Sequence, residues 1–134
     1  MKKVMVFGTF DFFHKGHEYF IKEAKKEGDF ISVVIARDET VLKVKGKYPL
    51  NNEIYRLGKV KSYADEVLLG ELGDKYKIIE IVKPDVICIG YDQESFTNDL
   101  GEEMRKRGLK GKVIKMKAFE PEKYKSSILR AKDI

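Results

Sequence analysis

Residues 3–17 read KVMVFGTFDFFHKGH, and this stretch decides how the rest of the chain is interpreted. Its first part, residues 3–7, is a short apolar run that ends at Gly8, which is typical of a buried parallel strand opening into a loop. Two histidines, His14 and His17, follow at the point where a helix begins. The sequence therefore predicts a strand, a glycine-containing turn and a helix N-terminus in immediate succession.

The rest of the chain alternates between short β-branched runs and helical patterns. The predicted strands are residues 3–7, 30–36, 66–69, 85–89 and 112–116. The predicted helices are residues 16–27 with Gly28 as their stop, 51–63 capped by Asn51 or Asn52, 74–82, 98–107 and a last helix from Ser126. Residues 37–49 read as a loop whose first part could be helical. This order predicts an α/β fold, a Rossmann-like doubly wound sheet of about five parallel strands.

Composition limits the classes of protein that fit. With 134 residues, 43% of them hydrophobic, the chain can bury one core, so we expect a single domain over residues 1–134. The formal charge of +5 comes from basic and acidic residues that are interleaved along the chain. This pattern is typical of a solvated surface with a mild bias toward phosphate-bearing ligands. The sequence has no zinc-finger spacing, long basic run or ribonucleoprotein motif, which disfavours nucleic acid as the main partner.

Location is predicted from apolar stretches and from cysteine usage. No run approaches the roughly 20 apolar residues of a membrane helix, and the apolar part of the start is too short for a signal peptide. The single cysteine, Cys88, lies in an apolar run and is expected to be a core residue in a reducing compartment. We therefore expect a cytoplasmic protein without a membrane partner.

The first turn has the chemistry of a polyphosphate site. Backbone N–H groups of a glycine turn, the positive end of a helix and imidazole donors all attract phosphate oxygens. The candidate residues around the two histidines are Gly8, Thr9, Phe10, Asp11 and Gly16. Two nearby histidines could also be ordinary surface or metal-binding residues. A zinc site would need further Cys or His ligands, however, and Cys88 is the only one left in the chain.

The pattern Gly-Thr-Phe-Asp-x-x-His-x-Gly-His over residues 8–17 resembles the HxGH signature of the cytidylyltransferase-like nucleotidyltransferases. The resemblance implies that this turn follows the first strand of a Rossmann-like sheet. It also implies that His14 and His17 are the catalytic pair, binding the triphosphate and stabilising the transition state at the α-phosphorus. An acceptor phosphate would then displace pyrophosphate without a covalent enzyme intermediate.

The resemblance extends to residues at the later strand ends. It implies phosphate neutralisation by Lys45 and Arg56, and positions near the base and ribose for Asp92 and Gln93. It also implies nucleotide binding by Gly90 and triphosphate binding by Ser126 and Ser127. Taken singly, each has an ordinary alternative, since a loop lysine is usually solvated and a serine at this position could simply cap a helix. The arginine that precedes the serine turn in cytidylyltransferases is absent here, and Lys123 or Lys125 could replace it only as a point charge.

Two substrate pairs compete within this family. Glycerol-3-phosphate cytidylyltransferases share the size and the first motif. Archaeal-type FAD synthetases, which adenylylate FMN, are similar in residues 36–41 (ARDETV), in Lys-Gly followed by Pro, and in residues 90–93 (GYDQ). We therefore favour ATP and FMN over CTP and glycerol 3-phosphate. Sugar-phosphate nucleotidyltransferases of similar length are a further alternative.

The resemblance and the chemistry carry further expectations about partners. Mg²⁺ is expected to bridge phosphate oxygens and to be carried in by the nucleotide. Relatives of this size commonly pair, which implies a homodimer. Two non-enzyme alternatives remain, a nucleotide-binding protein without turnover and an RNA-binding α/β domain, whose affinity would fall steeply with salt.

Overall fold

The computed structural model describes residues 1–90 and 94–116, with the backbone alone described for residues 94–98. Its elements, in chain order, are β1 (Lys3–Gly8), α1 (Lys15–Lys25), β2 (Phe30–Ile35), α2 (Asp38–Lys45), α3 (Glu53–Val60), a 3-10 turn (Lys61–Tyr63), β3 (Glu66–Leu69), α4 (Lys77–Val82), β4 (Val86–Ile89), α5 (Glu94–Lys106) and β5 (Lys112–Lys115).

The strands form one five-stranded sheet in the order β3-β2-β1-β4-β5, and every neighbouring pair is parallel. The predicted α/β fold with five parallel strands is therefore confirmed. Successive strands run outward from β1 to β3 on one side, and the chain then crosses to β4 on the other side. Strand order thus reverses between β1 and β4, and in such sheets ligands bind at this point, outside the carboxyl ends of the strands.

Side chains of the central strand alternate between two cores. Val4 and Val6 pack in one hydrophobic cluster with Ile21 of α1, whereas Met5 packs in a second cluster with Ile79 of α4. Because each strand residue points to the face opposite its neighbours, a strand buried on both faces must be apolar throughout. This explains the uninterrupted apolar run before Gly8, whose middle residues are buried while Phe7 and Gly8 at the carboxyl end are half-buried.

Several element boundaries differ from the sequence prediction. The first helix ends at Lys25 with Lys26 as its C-cap, so the prediction that Gly28 stops it is wrong. Gly28 instead lies where the chain passes β1, and a Cβ atom there would be 2.6 Å from a Val4 methyl group and 2.7 Å from the Lys2 carbonyl oxygen. The segment read mainly as a loop contains α2, which ends at the left-handed Gly46 (φ 78°).

Two helices have shifted ends. The helix predicted from residue 74 begins only at Lys77, because the Asp74 side chain accepts the Tyr76 N–H at 3.1 Å and forms a turn before it. The helix predicted from residue 98 begins earlier, at Glu94. Cys88 is buried, as predicted, and the last predicted helix lies outside the described residues. Within residues 1–90 and 94–116, no helix has both the length and the apolar character needed to cross a membrane.

Candidate active site

The turn after β1 is held in an uncommon backbone conformation. Phe10 (φ 54°) and Phe12 (φ 53°) are both left-handed, which costs a non-glycine residue roughly 1–2 kcal/mol. The buried ring of Phe10 folds back over Gly8, where a Cβ atom would lie 2.6 Å from Phe10 Cε2. Backbone strain of this kind persists where the surrounding structure fixes it, and it is concentrated at functional sites. The strained turn aims the following residues at the carboxyl edge of the sheet.

The two histidines form a reciprocal cap at the start of α1. The Gly16 N–H donates to His14 Nδ1 at 3.0 Å, and the His14 N–H donates to His17 Nδ1 at 3.3 Å. The two imidazoles stack with centroids 3.8 Å apart and an interplanar angle of 23°. Phe10 packs edge-on against His17, with centroids 5.3 Å apart. The pair is therefore rigid, and the spacing of three residues places both rings on one side of the helix entrance.

This arrangement fixes the protonation state of both rings. Burial lowers the pKa of His14. Burial is also the main reason that the pKa of His17 falls to about 3, and repulsion from Lys45 and from a protonated His14 lowers it further. Both histidines are therefore neutral near neutral pH. A neutral imidazole whose Nδ1 accepts a hydrogen bond carries its proton on Nε2. Each ring thus has an Nε2–H that can donate to an anion.

Lys45, a predicted phosphate ligand outside the first turn, influences His17 through its charge. It is the last residue of α2, its side chain is exposed, and its positive charge contributes to the lowered pKa of His17. The charge of Lys45 therefore acts on the histidine pair at the N-terminus of α1, where the helix dipole also favours negative charge.

Asp11 fixes the loop that leads to α3. Its carboxylate accepts the Leu50 N–H at 2.8 Å and the Asn51 N–H at 2.9 Å, while Asn51 accepts the Phe12 N–H through its side-chain oxygen at 3.3 Å. Asp11 is only 5% exposed. The carboxylate therefore holds the first turn and the α2–α3 connection together. Asn52, rather than Asn51, caps α3 by accepting the Tyr55 N–H at 2.9 Å.

Arg56 has a different environment from the one expected of a phosphate ligand. Its side chain is fully buried, and its guanidinium donates to the carbonyl oxygens of Thr9, Ala36 and Asn51 at 2.8 to 2.9 Å. It also donates to Asp38 Oδ1 at 2.6 Å. These bonds join the loops after β1 and β2 to the start of α3. The buried position favours a positioning role for Arg56, and the predicted contact with phosphate stays a prediction.

The remaining predicted site residues follow β4, on the side of β1 opposite β2, or lie outside the described residues. Gly90 directly follows β4, at the same carboxyl edge as the first turn. Asp92, Gln93, Ser126 and Ser127 lie outside the described residues, as do Lys123 and Lys125. Among the side chains that the structure describes, no group of three or more His, Cys, Asp or Glu residues could hold a metal ion.

The aromatic environment of the histidines was not predicted from the sequence. The ring of Phe13 lies between His17 and Tyr63, with centroid distances of 5.4 and 5.3 Å. The Tyr63 hydroxyl in turn donates to the Glu18 carboxylate on α1. The only sequence signal was the aromatic character of Phe13 inside the motif, and nothing in the sequence placed Tyr63 beside it.

Comparisons with known proteins identify the family of the chain. The cytidylyltransferase-like family model matches residues 5–132. The FAD synthase of Ferroglobus placidus is 47% identical over 122 residues, covering 90% of this chain and 79% of that protein. The FAD synthase of Methanobrevibacter smithii is 47% identical over 133 residues, covering 95% of this chain and 86% of that protein.

Solved structures give the same fold. A structure from Thermoplasma volcanium, described as a lipopolysaccharide core biosynthesis protein, superposes with a TM-score of 0.83 at 38% identity, covering 90% of this chain and 99% of that chain. A pantoate-beta-alanine ligase from Francisella tularensis superposes with a TM-score of 0.66 at 19% identity, covering 87% of this chain and 59% of that chain, and it shows the fold alone. With the family model spanning nearly its whole length and relatives so similar to it, the chain belongs to the cytidylyltransferase-like family.

Proposed function

We propose that this protein is a nucleotidyltransferase that transfers AMP from ATP to FMN, giving FAD and pyrophosphate. The observation that carries the proposal is the stacked, neutral histidine pair with both Nδ1 atoms occupied by backbone donors. The pair presents two Nε2–H donors at a helix N-terminus, at the carboxyl edge of a parallel sheet.

The donors suit the charge that develops during nucleotidyl transfer. A phosphate oxygen of the acceptor attacks the α-phosphorus of the nucleotide, the bond from that phosphorus to the bridging oxygen breaks, and pyrophosphate leaves. Negative charge grows on the phosphoryl oxygens. The neutral rings of His14 and His17 can donate hydrogen bonds to these oxygens through Nε2–H. Since the pair is held by the first turn of α1, little reorganisation is needed at the moment of reaction. Lys45 supplies positive charge on the same side.

The choice of ATP and FMN is supported by the relatives. The FAD synthases of Ferroglobus placidus and Methanobrevibacter smithii are both 47% identical to this chain. In addition, residues 36–41 lead from the end of β2 into the first turn of α2, and Asp38 within them anchors the buried Arg56. The segment that resembles FAD synthetases therefore has a structural part in the site.

Three further parts of the proposal concern the setting of the reaction. Mg²⁺ would arrive with the triphosphate, because the Asp11 carboxylate already accepts two backbone N–H groups and the described side chains form no metal cluster. The bound metal would offset charge on the phosphate oxygens. The proposal also includes a homodimer and a cytoplasmic location.

A magnesium-dependent pyrophosphate assay tests the proposal most broadly. ATP and CTP are each combined with FMN, glycerol 3-phosphate, ethanolamine phosphate and heptose phosphate. The expected result is pyrophosphate release with ATP and FMN, together with FAD as the product. Turnover with CTP alone would overturn the proposed substrates, and nucleotide binding without any pyrophosphate release would indicate a protein that binds nucleotides without catalysis.

A further inference from the structure

A cavity of about 570 Å³ lies against the first turn, on the side of β1 that faces α3. Its aromatic wall contains Phe13, Tyr55 and Tyr63. Its polar lining includes side chains from one face of α3 and its flanks, namely Asn51, Lys59 and Ser62. Tyr55 and Lys59 are four residues apart and lie on one side of α3. Asn51 lies just before the N-cap of α3, and Ser62 lies in the 3-10 turn that follows it.

The cavity is separated from the histidine pair by a single ring. Phe13 contacts His17 on one side, with centroids 5.4 Å apart, and Tyr63 on the other side, with centroids 5.3 Å apart. Phe13 is thus both a wall of the cavity and a neighbour of the catalytic pair. A ligand whose ring lies in the cavity could place a phosphate, carried on a short flexible chain, beside the histidines.

The cavity lies on one side of β1, and the other side of β1 is open to the nucleotide. It opens between the N-terminus of α1 and α3, which packs on β2 and β3, whereas Gly90 lies across β1 at the end of β4. A nucleotide bound at the strand reversal, between β1 and β4, would extend its base away from the cavity. The two substrates would then meet at the histidine pair from opposite sides.

We infer that this cavity binds the isoalloxazine ring of the flavin acceptor, an inference that rests on the proposed function. An isoalloxazine is a large planar ring with one apolar edge and one edge of amide and carbonyl groups. Tyr55 and Tyr63 can stack on its face or edge. The Asn51 amide, the Ser62 hydroxyl and the Lys59 ammonium can meet its carbonyl oxygens. Its ribityl chain would then lead the phosphate past Phe13 toward His17.

Flavin fluorescence gives a readout that does not depend on turnover. FMN is titrated with the wild-type protein and with Tyr55→Ala, and quenching of the flavin emission reports the dissociation constant. Tyr55 is 51% exposed, so its truncation should leave the fold intact. Loss of one stacking partner is expected to weaken FMN binding by about tenfold, with ATP affinity unchanged. The matched control is Ile54→Ala, on the same helix and 66% exposed but outside the cavity lining, which should bind FMN as the wild type does.

A second variant fills the cavity instead of emptying it. A Cβ atom at Gly58 would meet nothing within 4 Å, and Gly58 lines the cavity within α3. Gly58→Leu places a strong helix former there, so it should fold at least as well as the wild type while blocking the flavin. We expect its FMN affinity to fall by more than tenfold and its KM for ATP to stay unchanged.

The outcomes separate the cavity assignment from the proposed function. Quenching by the wild type that is weakened in both Tyr55→Ala and Gly58→Leu supports the assignment. Quenching that is equal in all variants, with FAD still formed, would overturn the assignment and leave the proposed function standing. A wild-type protein that neither binds FMN nor forms FAD would overturn both.

Discussion

Arg56 Nη2 lies 2.6 Å from Asp38 Oδ1, and this ion pair ties α3 to the start of α2 beneath the candidate active site. The Arg56 side chain is fully buried, and its other donors satisfy three carbonyl oxygens from three different loops. A planar guanidinium can hold several acceptors at once, whereas an ammonium group on a flexible chain cannot do so in the same geometry.

The first prediction therefore concerns Arg56→Lys. The variant keeps the charge but leaves buried acceptors unsatisfied, and we expect the free energy of unfolding to fall by roughly 3 kcal/mol. Urea denaturation measures this change. Arg37→Lys is the control, because Arg37 is 32% exposed and pairs with Glu53 at 3.1 Å, so the loss should stay below about 1 kcal/mol. If Arg56→Lys had wild-type stability and a raised KM for ATP, this result would contradict the positioning role and support direct phosphate binding by Arg56.

The second prediction separates the two roles of His14. As the N-cap of α1, its Nδ1 accepts the Gly16 N–H, so His14→Ala should lower the free energy of unfolding by about 1 kcal/mol. His14→Asn retains a capping side chain and should recover most of that stability. Neither variant keeps the imidazole N–H donor, and both should lose on the order of a hundredfold in kcat. An Asn variant with nearly full turnover would mean that His14 serves only as a cap.

The third prediction concerns the pH dependence of stability. Unfolded His17 takes up a proton near pH 6.5, whereas folded His17 stays neutral down to about pH 3. Because the unfolded state binds more protons in this window, stability is lost as the pH falls and is unaffected above it. Between about pH 7.5 and pH 5 the loss should reach at most about 2 kcal/mol for His17.

Two measurements check this pH dependence. Urea denaturation at both pH values should show a smaller loss for His17→Gln, which cannot titrate. The chain contains two histidines, so NMR can follow the imidazole signals individually, and the His17 signal should not titrate above pH 5. A titration midpoint of the free folded protein near pH 6.5 for His17 would contradict the buried, neutral state.

The fourth prediction tests the turn that supports the histidines. Gly8→Ala would place a Cβ atom 2.6 Å from Phe10 Cε2 and force the Phe10 ring to move. Since that ring packs against His17, we expect both lower stability and a lower kcat. Gly101→Ala on α5 is the control, because no atom lies within 4 Å of its Cβ position, and it should stabilise the protein by up to about 1 kcal/mol. Wild-type kcat in Gly8→Ala would show that the ring does not position His17.

The sheet and the first turn could be predicted from the sequence, and the reasons are local. An apolar run buried on both faces, ended by Gly8 and followed by a helix start, admits few structures other than a central parallel strand. That inference needed only spacing and polarity. The assignment of Lys45 to the phosphate site came instead from the family resemblance, because a single lysine between two elements is usually solvated.

The role of Arg56 could not be predicted, because it depends on contacts between residues far apart in sequence. Its partners Thr9 and Ala36 lie in two other loops and Asp38 begins α2, and a lone arginine on a helix gives no sign of burial. Phe13 and Tyr63 are likewise brought together only by tertiary packing. Residue types indicated where phosphate could bind, but only the fold distinguishes a ligand from a residue that positions one.

An isotope experiment can show whether the histidine pair promotes transfer at the inner phosphorus of ATP. ATP labelled at the α-phosphorus is incubated with FMN, magnesium and either the wild-type protein or folded His17→Ala. We expect the wild type to move the label into FAD and His17→Ala to do so at least about a hundredfold more slowly. Equal labelling of FAD by both proteins, or a wild type that leaves the label in ATP while consuming FMN, would contradict this expectation.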